Sequence, residues 1–199
     1  MPDNKEADIY NNFVKESLSE DYNIYILPKF DGTNATILKR DNNISIYSNH
    51  QNQDEYFPDL KDITKQIDIK NTILQVSIFE LDMDKNIKNS NNWLTDNSSQ
   101  PDGVRIVAKD CYYYGNKVIL DESFKKRFER VKEIVPQQEE VGIYEMLPLP
   151  NEKIEDTRNP AEFQAVLDWA TNLDVVGSNG AIVRDSSSTV FDKKEKVIW

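Results

Sequence analysis

The sequence predicts an α+β domain in which antiparallel strands are flanked by amphipathic helices. Short runs rich in β-branched and aromatic residues, "NIYILP", "ATILKR" and "ISIYS", are separated by Asp-Gly and Asp-Asn-Asn, the chemistry of tight turns. Two longer segments, 121–135 and 159–170, instead space their apolar residues for one face of a helix. At 199 residues the chain is long enough for one domain with a real core.

Each element follows from its own pattern. Residues 5–18 set Ile9, Phe13 and Leu18 near helical spacing, which predicts a short N-terminal helix. The three β-rich runs come next. "FPDLKDITKQI" then predicts a short helix with Leu60, Ile63 and Ile67 on one face, and "NTILQVSIFELD" another strand. Residues 84–102 have little apolar content beyond Ile87, Trp93 and Leu94, so a long polar loop is expected. "GVRIVAKD" and "NKVIL" flank "CYYYG" and predict a hairpin turning at Gly115-Asn116. "DESFKKRFERVKEIV" reads as a helix capped by Asp121 or Ser123, with Phe124, Phe128, Val131 and Val135 as its stripe. A second helix opens with Asn159 as cap and Pro160 in its first turn, and buries Phe163, Val166, Leu167 and Ala170. "GAIVRDSSSTVFDKKEKVIW" closes the chain as strand, polar turn and strand.

Charge and cysteine content exclude several classes. A net charge of -11 argues against a free-standing nucleic-acid binder, because Lys and Arg neutralising phosphates supply most non-specific affinity. The single Cys111 leaves no disulfide and no Cys-based zinc site, and favours a reducing compartment. The N-terminal stretch lacks a signal-peptide pattern and no run is apolar enough to span a bilayer, so an intracellular protein, cytoplasmic or nuclear and away from membranes, is expected.

The stretch that bears chemistry is Pro28-Lys29-Phe30-Asp31-Gly32-Thr33-Asn34. An amine attacks phosphorus only when deprotonated, so a lysine nucleophile needs surroundings that favour its neutral form. A strand end beside a tight glycine turn holds such a group in place. The glycine lets backbone approach a phosphate, and the aspartate can orient the amine or a sugar hydroxyl. Alone, "KxDG" is short, and an ordinary strand-end lysine beside a hairpin turn is the plainer explanation.

The surrounding string "PKFDGTNATILKRDNNISIYSNHQNQDEYFPDL" resembles the start of the adenylation domain of ATP-dependent DNA ligases. There a "KxDG" strand precedes a Ser-Arg-Asn strand end and a Phe-Pro-Glu-Leu helix, matched here by "YSNHQ" and "FPDL". "VRIVAKDCYYYGNKVIL" and the helix after it resemble the family's "FDxLYLNG" strand pair and Arg-rich helix, and "VGSNGAIVRDSSS" its "EGxxxK" segment. The resemblance covers about residues 22–199 in one order. It implies a single nucleotidyltransferase domain over 1–199: two antiparallel sheets flanked by helices, with the nucleotide in the cleft between them. It further implies Lys29 as the carrier of AMP, and Asp31, Gly32, Asn34 and Arg184 as nucleotide-binding residues. ATP and Mg²⁺ would be the cofactors, with nicked DNA or RNA ends as substrates and a partner protein as a further contact.

Departures from the family pattern are numerous. The family's adenine-contacting Glu falls on Leu27, the Arg after its lysine on Asn34, and the Arg of its next strand on Asn49. Phage-type RNA ligases, however, carry "KxxGTN" with Asn at that second place. The Asp-Gly-Glu carboxylate falls on Gln75-Val76-Ser77, the adenine-stacking aromatic on Lys109, and the Glu of "EGxxxK" on Asn179. Arg184 replaces the following Lys, and the last motif, "WxKxK", would begin at Trp199, so no oligonucleotide-binding domain is expected. Glu80, Asp82 and Glu145 are substitute metal carboxylates, and Tyr144 a substitute stacking ring. An alternative alignment reads "YEMLPLPNEKI" as a phage-type RNA ligase segment with Glu145 as metal ligand.

Other candidates have plainer roles. Tyr112, Tyr113 and Tyr114 read as packing residues, and Cys111 as a buried small hydrophobe. Lys125, Lys126, Arg127, Arg130 and Lys132 alternate with Glu129 and Glu133 as a solvated helix face, whereas Lys193, Lys194 and Lys196 are the better basic patch. His50 has no partner for a metal site. Three functions follow: a self-adenylating ligase-like enzyme, weak or partner-dependent; a degenerate ligase-like binding module without chemistry; or an RNA ligase-like enzyme.

Overall fold

A computed structural model describes residues 24–54, 64–65, 67, 71–81, 87–88, 104–135, 141–142, 147–149, 178–192 and 195–198. The expected helices at 5–18 and 159–170, and all but Thr64, Lys65 and Ile67 of the short helix before residue 71, lie outside these. The chain divides into two compact units, Met1–Lys29 with Glu145–Ser188 and Asp192–Trp199, and Phe30–Tyr144 with Thr189–Phe191. Among the described residues no helix is long and apolar enough to cross a membrane.

The first unit carries a four-stranded sheet: β1 (Ile24–Phe30), β10 (Leu147–Leu149), β11 (Ser178–Asp185) and β12 (Glu195–Ile198), in the order β10-β1-β11-β12. β1 runs antiparallel to β10, with Ile24 opposite Leu149. β11 and β12 pair antiparallel from Ala181 opposite Ile198 to Arg184 opposite Glu195, as the closing strand-turn-strand pattern predicts.

The second unit is built on an eight-stranded sheet. Its main path is β4 (Gln51–Asn52), β3 (Asn43–Ser48), β2 (Thr33–Arg40), β5 (Asn71–Leu81), β7 (Val104–Tyr114) and β8 (Lys117–Val118). β6 (Ile87–Lys88) pairs with β5, which places a short strand inside the segment expected to be polar loop. Ile87, one of the few apolar residues there, opposes Leu81. β9 (Val141–Gly142) runs parallel to β7, departing from the all-antiparallel expectation. A helix lies between β7 and β9 in the chain, and a helical crossover brings a strand back in the same direction.

Alternation puts Ala35 and Ile37, Leu74, Val76 and Ile78, and Ile106 and Ala108 on one face of this sheet, all buried. Helix α1 (Phe124–Ile134) packs along β7 and adds Phe124, Phe128, Val131 and Ile134 to that core. The expected stripe is therefore found, with Val135 buried at the C-cap. Ser123 occupies the N-cap position, though its side chain makes no capping hydrogen bond. The hairpin turns where expected: Gly115 and Asn116 both have positive φ, +53° and +76°, as a type I′ turn requires.

One helix residue departs from the sequence reading. Arg127, read as part of a solvated basic face, is 2% exposed. Its Nε donates to Asp110 Oδ1 at 2.9 Å, its Nη2 to Asp110 Oδ2 at 3.0 Å, and its Nη1 to the Glu122 carbonyl. Helical spacing groups Arg127 with Phe124, Phe128 and Val131 rather than with its charged neighbours. Arg130 does stay at the surface, over the Tyr114 ring and bonded to Glu133.

Asp110 is the facing carboxylate on β7, and removing it would leave a buried guanidinium uncompensated. Asp110→Ala is expected to cost about 3–5 kcal/mol in chemical denaturation, whereas Asp110→Leu with Arg127→Met together is expected to be near neutral. Cys111 is fully buried beside Thr72, and burial pushes its thiol up to about 11. The native protein should resist iodoacetamide at pH 8 and react once unfolded. Because the folded thiol keeps its proton while the unfolded one loses it, stability should also fall as pH rises from about 9 towards 11.

Candidate functional site

Lys29 lies near the end of β1, half-buried, and β2 begins four residues later. Only Asp31 and Gly32 join the two strands, yet β1 belongs to the four-stranded sheet and β2 to the eight-stranded one. The Asp-Gly step is therefore not a hairpin turn. It carries the chain from one sheet into the other.

Gly32 is required there for room. A Cβ on it would lie 2.5 Å from the Ile78 carbonyl oxygen and 3.1 Å from Phe79 Cβ, both on β5. Its φ is not in the left-handed region, so steric closeness and not backbone freedom demands glycine. The close approach seen is to the backbone of β5. Beside it Phe30 stacks on Phe79, with ring centroids 5.1 Å apart and planes within 4°. Asp31 is exposed.

Asn34 is exposed near the start of β2, opposite Ser77 of β5. Its Oδ1 accepts a 2.6 Å hydrogen bond from Lys109 Nζ. Lys109 sits two strands away, on β7, two residues beyond Val107, which opposes Ser77, so alternation keeps it on the Asn34 side of the sheet. Gln75 opposes Asp110 while Val76 opposes Ala108, which leaves Lys109 as the extra residue of a bulge. A bulge re-aims the side chains that flank it. Asp110 turns to Arg127 in the core, and Lys109 turns to Asn34. Ser77, short and 1% exposed, holds the strand position between them. Three departures from the ligase pattern, Asn34, Ser77 and Lys109, thus form one cluster.

Arg184 lies on β11, half-buried, in the four-stranded sheet. After it Asp185 organises the turn, its Oδ1 accepting from the Ser187 N–H at 2.8 Å and the Ser187 hydroxyl at 2.7 Å. The structure therefore sets Lys29 and Arg184 on one sheet, and Asn34, with Gly32 packed on β5, on the other. Tyr144, Glu145, Asp82, Lys193, Lys194 and the Lys196 side chain lie outside the described residues.

Of the expected metal carboxylates Glu80 is described, 6% exposed. It is three residues from Ser77, so strand alternation turns it to the opposite face of β5. Among the described residues no group of three His, Cys, Asp or Glu is placed to hold a metal ion. The hydrogen bond of Lys109 to Asn34 is the feature of this cluster that the sequence did not reveal. It joins residues 75 apart in sequence, and no local pattern signals it.

A lysine-bearing strand that passes through Asp-Gly from one sheet into a second, larger one is the arrangement of a ligase-type adenylation domain. The family described as "ATP dependent DNA ligase domain" matches residues 6–197, and the chain belongs to it. Among solved structures it is similar to mycobacterial DNA ligase D complexed with ATP and MES, at 13% identity and a TM-score of 0.60, over 84% of this chain and 50% of that one. It is also similar to the ligase domain of M. tuberculosis LigD, at 13% identity and a TM-score of 0.57, over 84% of this chain and 49% of the other. The chain thus spans about half the length of these structures, and the likeness shows the shared fold. No curated protein matches the sequence.

The glycine constraint is directly testable. Gly32→Ala should destabilise the protein by about 1–3 kcal/mol, since the obstructing atoms are backbone and cannot rotate away. An unchanged melting temperature would contradict the packing described.

Proposed function

We propose that this chain is a covalent nucleotidyltransferase of the ATP-dependent DNA ligase type, with Lys29 as the residue that takes the nucleotide. The observation that carries the reading is the retained Lys29-Phe30-Asp31-Gly32 step between two sheets, with Gly32 packed too tightly for any side chain. In the reaction, the neutral Lys29 amine attacks the α-phosphorus of ATP. A P–N bond forms, the bond from the α-phosphorus to the bridging oxygen breaks, and pyrophosphate leaves while the amine proton passes to solvent. Asp31, Gly32, Asn34 and Arg184 are the residues assigned to nucleotide binding. Mg²⁺ is the cofactor that this family reading implies. Transfer of AMP to a nicked DNA or RNA end would follow, with a partner protein supplying further contacts.

A second reading is favoured by one observation. Ser77 stands where the family pattern has a carboxylate, and Glu80 points away from that face. On this reading the domain is a ligase-like binding module without chemistry. Intact-mass spectrometry after incubation with ATP, or separately GTP, and Mg²⁺ or Mn²⁺ separates the two. The first reading predicts a gain of one nucleoside monophosphate that disappears in Lys29→Ala. No gain with any donor and metal, in folded protein, would leave the binding module.

A further inference from the structure

At the end of β2 remote from Gly32, residues of the second unit enclose a cavity of about 400 Å³ that no step of the proposed reaction uses. Its floor is a cross-strand row: Leu38 on β2 opposes Ile73 on β5, which opposes Tyr113 on β7. All three are half-buried, whereas Ile37 and Leu74, the next pair along, turn to the core and are fully buried. The row therefore leaves apolar surface open. Leu38 is roughly 13 Å along β2 from Asn34 at the usual rise of a strand, which separates this cavity from the Lys29 step.

Polar residues close the rim. Arg40 is exposed, and its guanidinium has no partner among the described residues. Lys39, its neighbour, is engaged elsewhere, since its Nζ donates to the Ile67 carbonyl. Asp41 follows in the turn after β2, with φ at +52°. Asn71 holds that turn, its Oδ1 accepting from the Asp41 N–H at 3.4 Å and its Nδ2 donating to Asn116 Oδ1 at 2.8 Å. The Gly115 N–H donates to the Asn71 carbonyl at 3.0 Å, so one residue fixes the turns on both sides of β5. With Asn71 used up in this way, the Asp41 carboxylate, the Asn116 Nδ2 and the Tyr113 hydroxyl make no hydrogen bond among the described residues.

An adjacent guanidinium and carboxylate beside an apolar floor ask for the same three parts in one ligand. A purely anionic ligand would be repelled by Asp41, and a purely cationic one by Arg40. An α-amino acid with an apolar side chain satisfies both, because its carboxylate matches the Arg40 fork and its ammonium matches Asp41. We infer that this cavity binds a free apolar or aromatic amino acid, with Arg40 and Asp41 as its ionic anchors. The side chain lies on Leu38, Ile73 and the Tyr113 ring, and Asn116 Nδ2 is a further donor to the carboxylate. A volume of this size with a few convergent polar groups is the usual form of a small-molecule site. The inference does not depend on the nucleotide reading above.

The test is amide NMR on the isotope-labelled full chain, titrated with L-phenylalanine, L-leucine, 3-phenylpropionate, which lacks the ammonium, and phenethylamine, which lacks the carboxylate. L-phenylalanine or L-leucine should give saturable shifts at Leu38, Arg40, Asp41, Asn71 and Asn116. Each single-charge analogue should bind about tenfold more weakly, the scale of one charge-assisted hydrogen bond. Arg40→Gln and Asp41→Asn should each weaken L-phenylalanine by about tenfold, and both variants should fold, since both residues are exposed and Asn tolerates positive φ. Arg40→Gln should leave phenethylamine no weaker, and Asp41→Asn should leave 3-phenylpropionate no weaker, a crossed pattern that a merely structural role would not produce. Several outcomes would overturn the inference: no saturable shift with either amino acid up to about 10 mM, analogues that bind as well as L-phenylalanine, or shifts centred on Lys29 to Asn34 instead. Binding unchanged in both variants would overturn it too.

Discussion

The buried pair between Arg127 and Asp110 is the constraint on which the larger sheet depends. It ties helix α1 to β7 by two hydrogen bonds of 2.9 and 3.0 Å in a largely apolar core. An ion pair in such surroundings contributes little net stability over an apolar pair of the same volume. Its consequence is geometric. Asp110 meets the helix from β7, while its neighbour Lys109 reaches across the sheet to Asn34 of β2. Two neighbouring residues of one strand thereby serve the core and the Asn34 cluster.

A second constraint operates at the Asp31-Gly32 step. The chain leaves one sheet and enters another within two residues, and β5 runs so close to Gly32 that no Cβ fits. The stacked rings of Phe30 and Phe79 fix the same spot from the side. A lysine one residue before Phe30 is thus attached to backbone with little freedom. That is what a nucleophile needs, because a group already held in place spends less of its attack barrier on ordering.

Most of the architecture could be read from residues alone. Alternating apolar positions located β2, β3, β5 and β7, the Gly115-Asn116 pair located the hairpin, and Phe124, Phe128 and Val131 located the packed face of α1. The failures share a cause. Arg127 was grouped with its charged neighbours, because local composition does not reveal a carboxylate that arrives from a strand 17 residues earlier. β6 is two residues long, too short for any period to register. The parallel β9 depends on where a crossover helix delivers the chain. At the site, "KFDG" was visible as a string, but the reason for its glycine was not, since Ile78 is remote in sequence. The Asn34 and Lys109 substitutions read separately as losses from the family pattern. Only the tertiary structure shows them as one hydrogen-bonded pair.

The central proposal is that Lys29 carries a nucleotide covalently. A crystal structure of the protein after incubation with ATP and a divalent cation tests this most directly. The account predicts density continuous from Lys29 Nζ to the phosphorus of AMP. A nucleotide lodged elsewhere with Lys29 Nζ unmodified would contradict it.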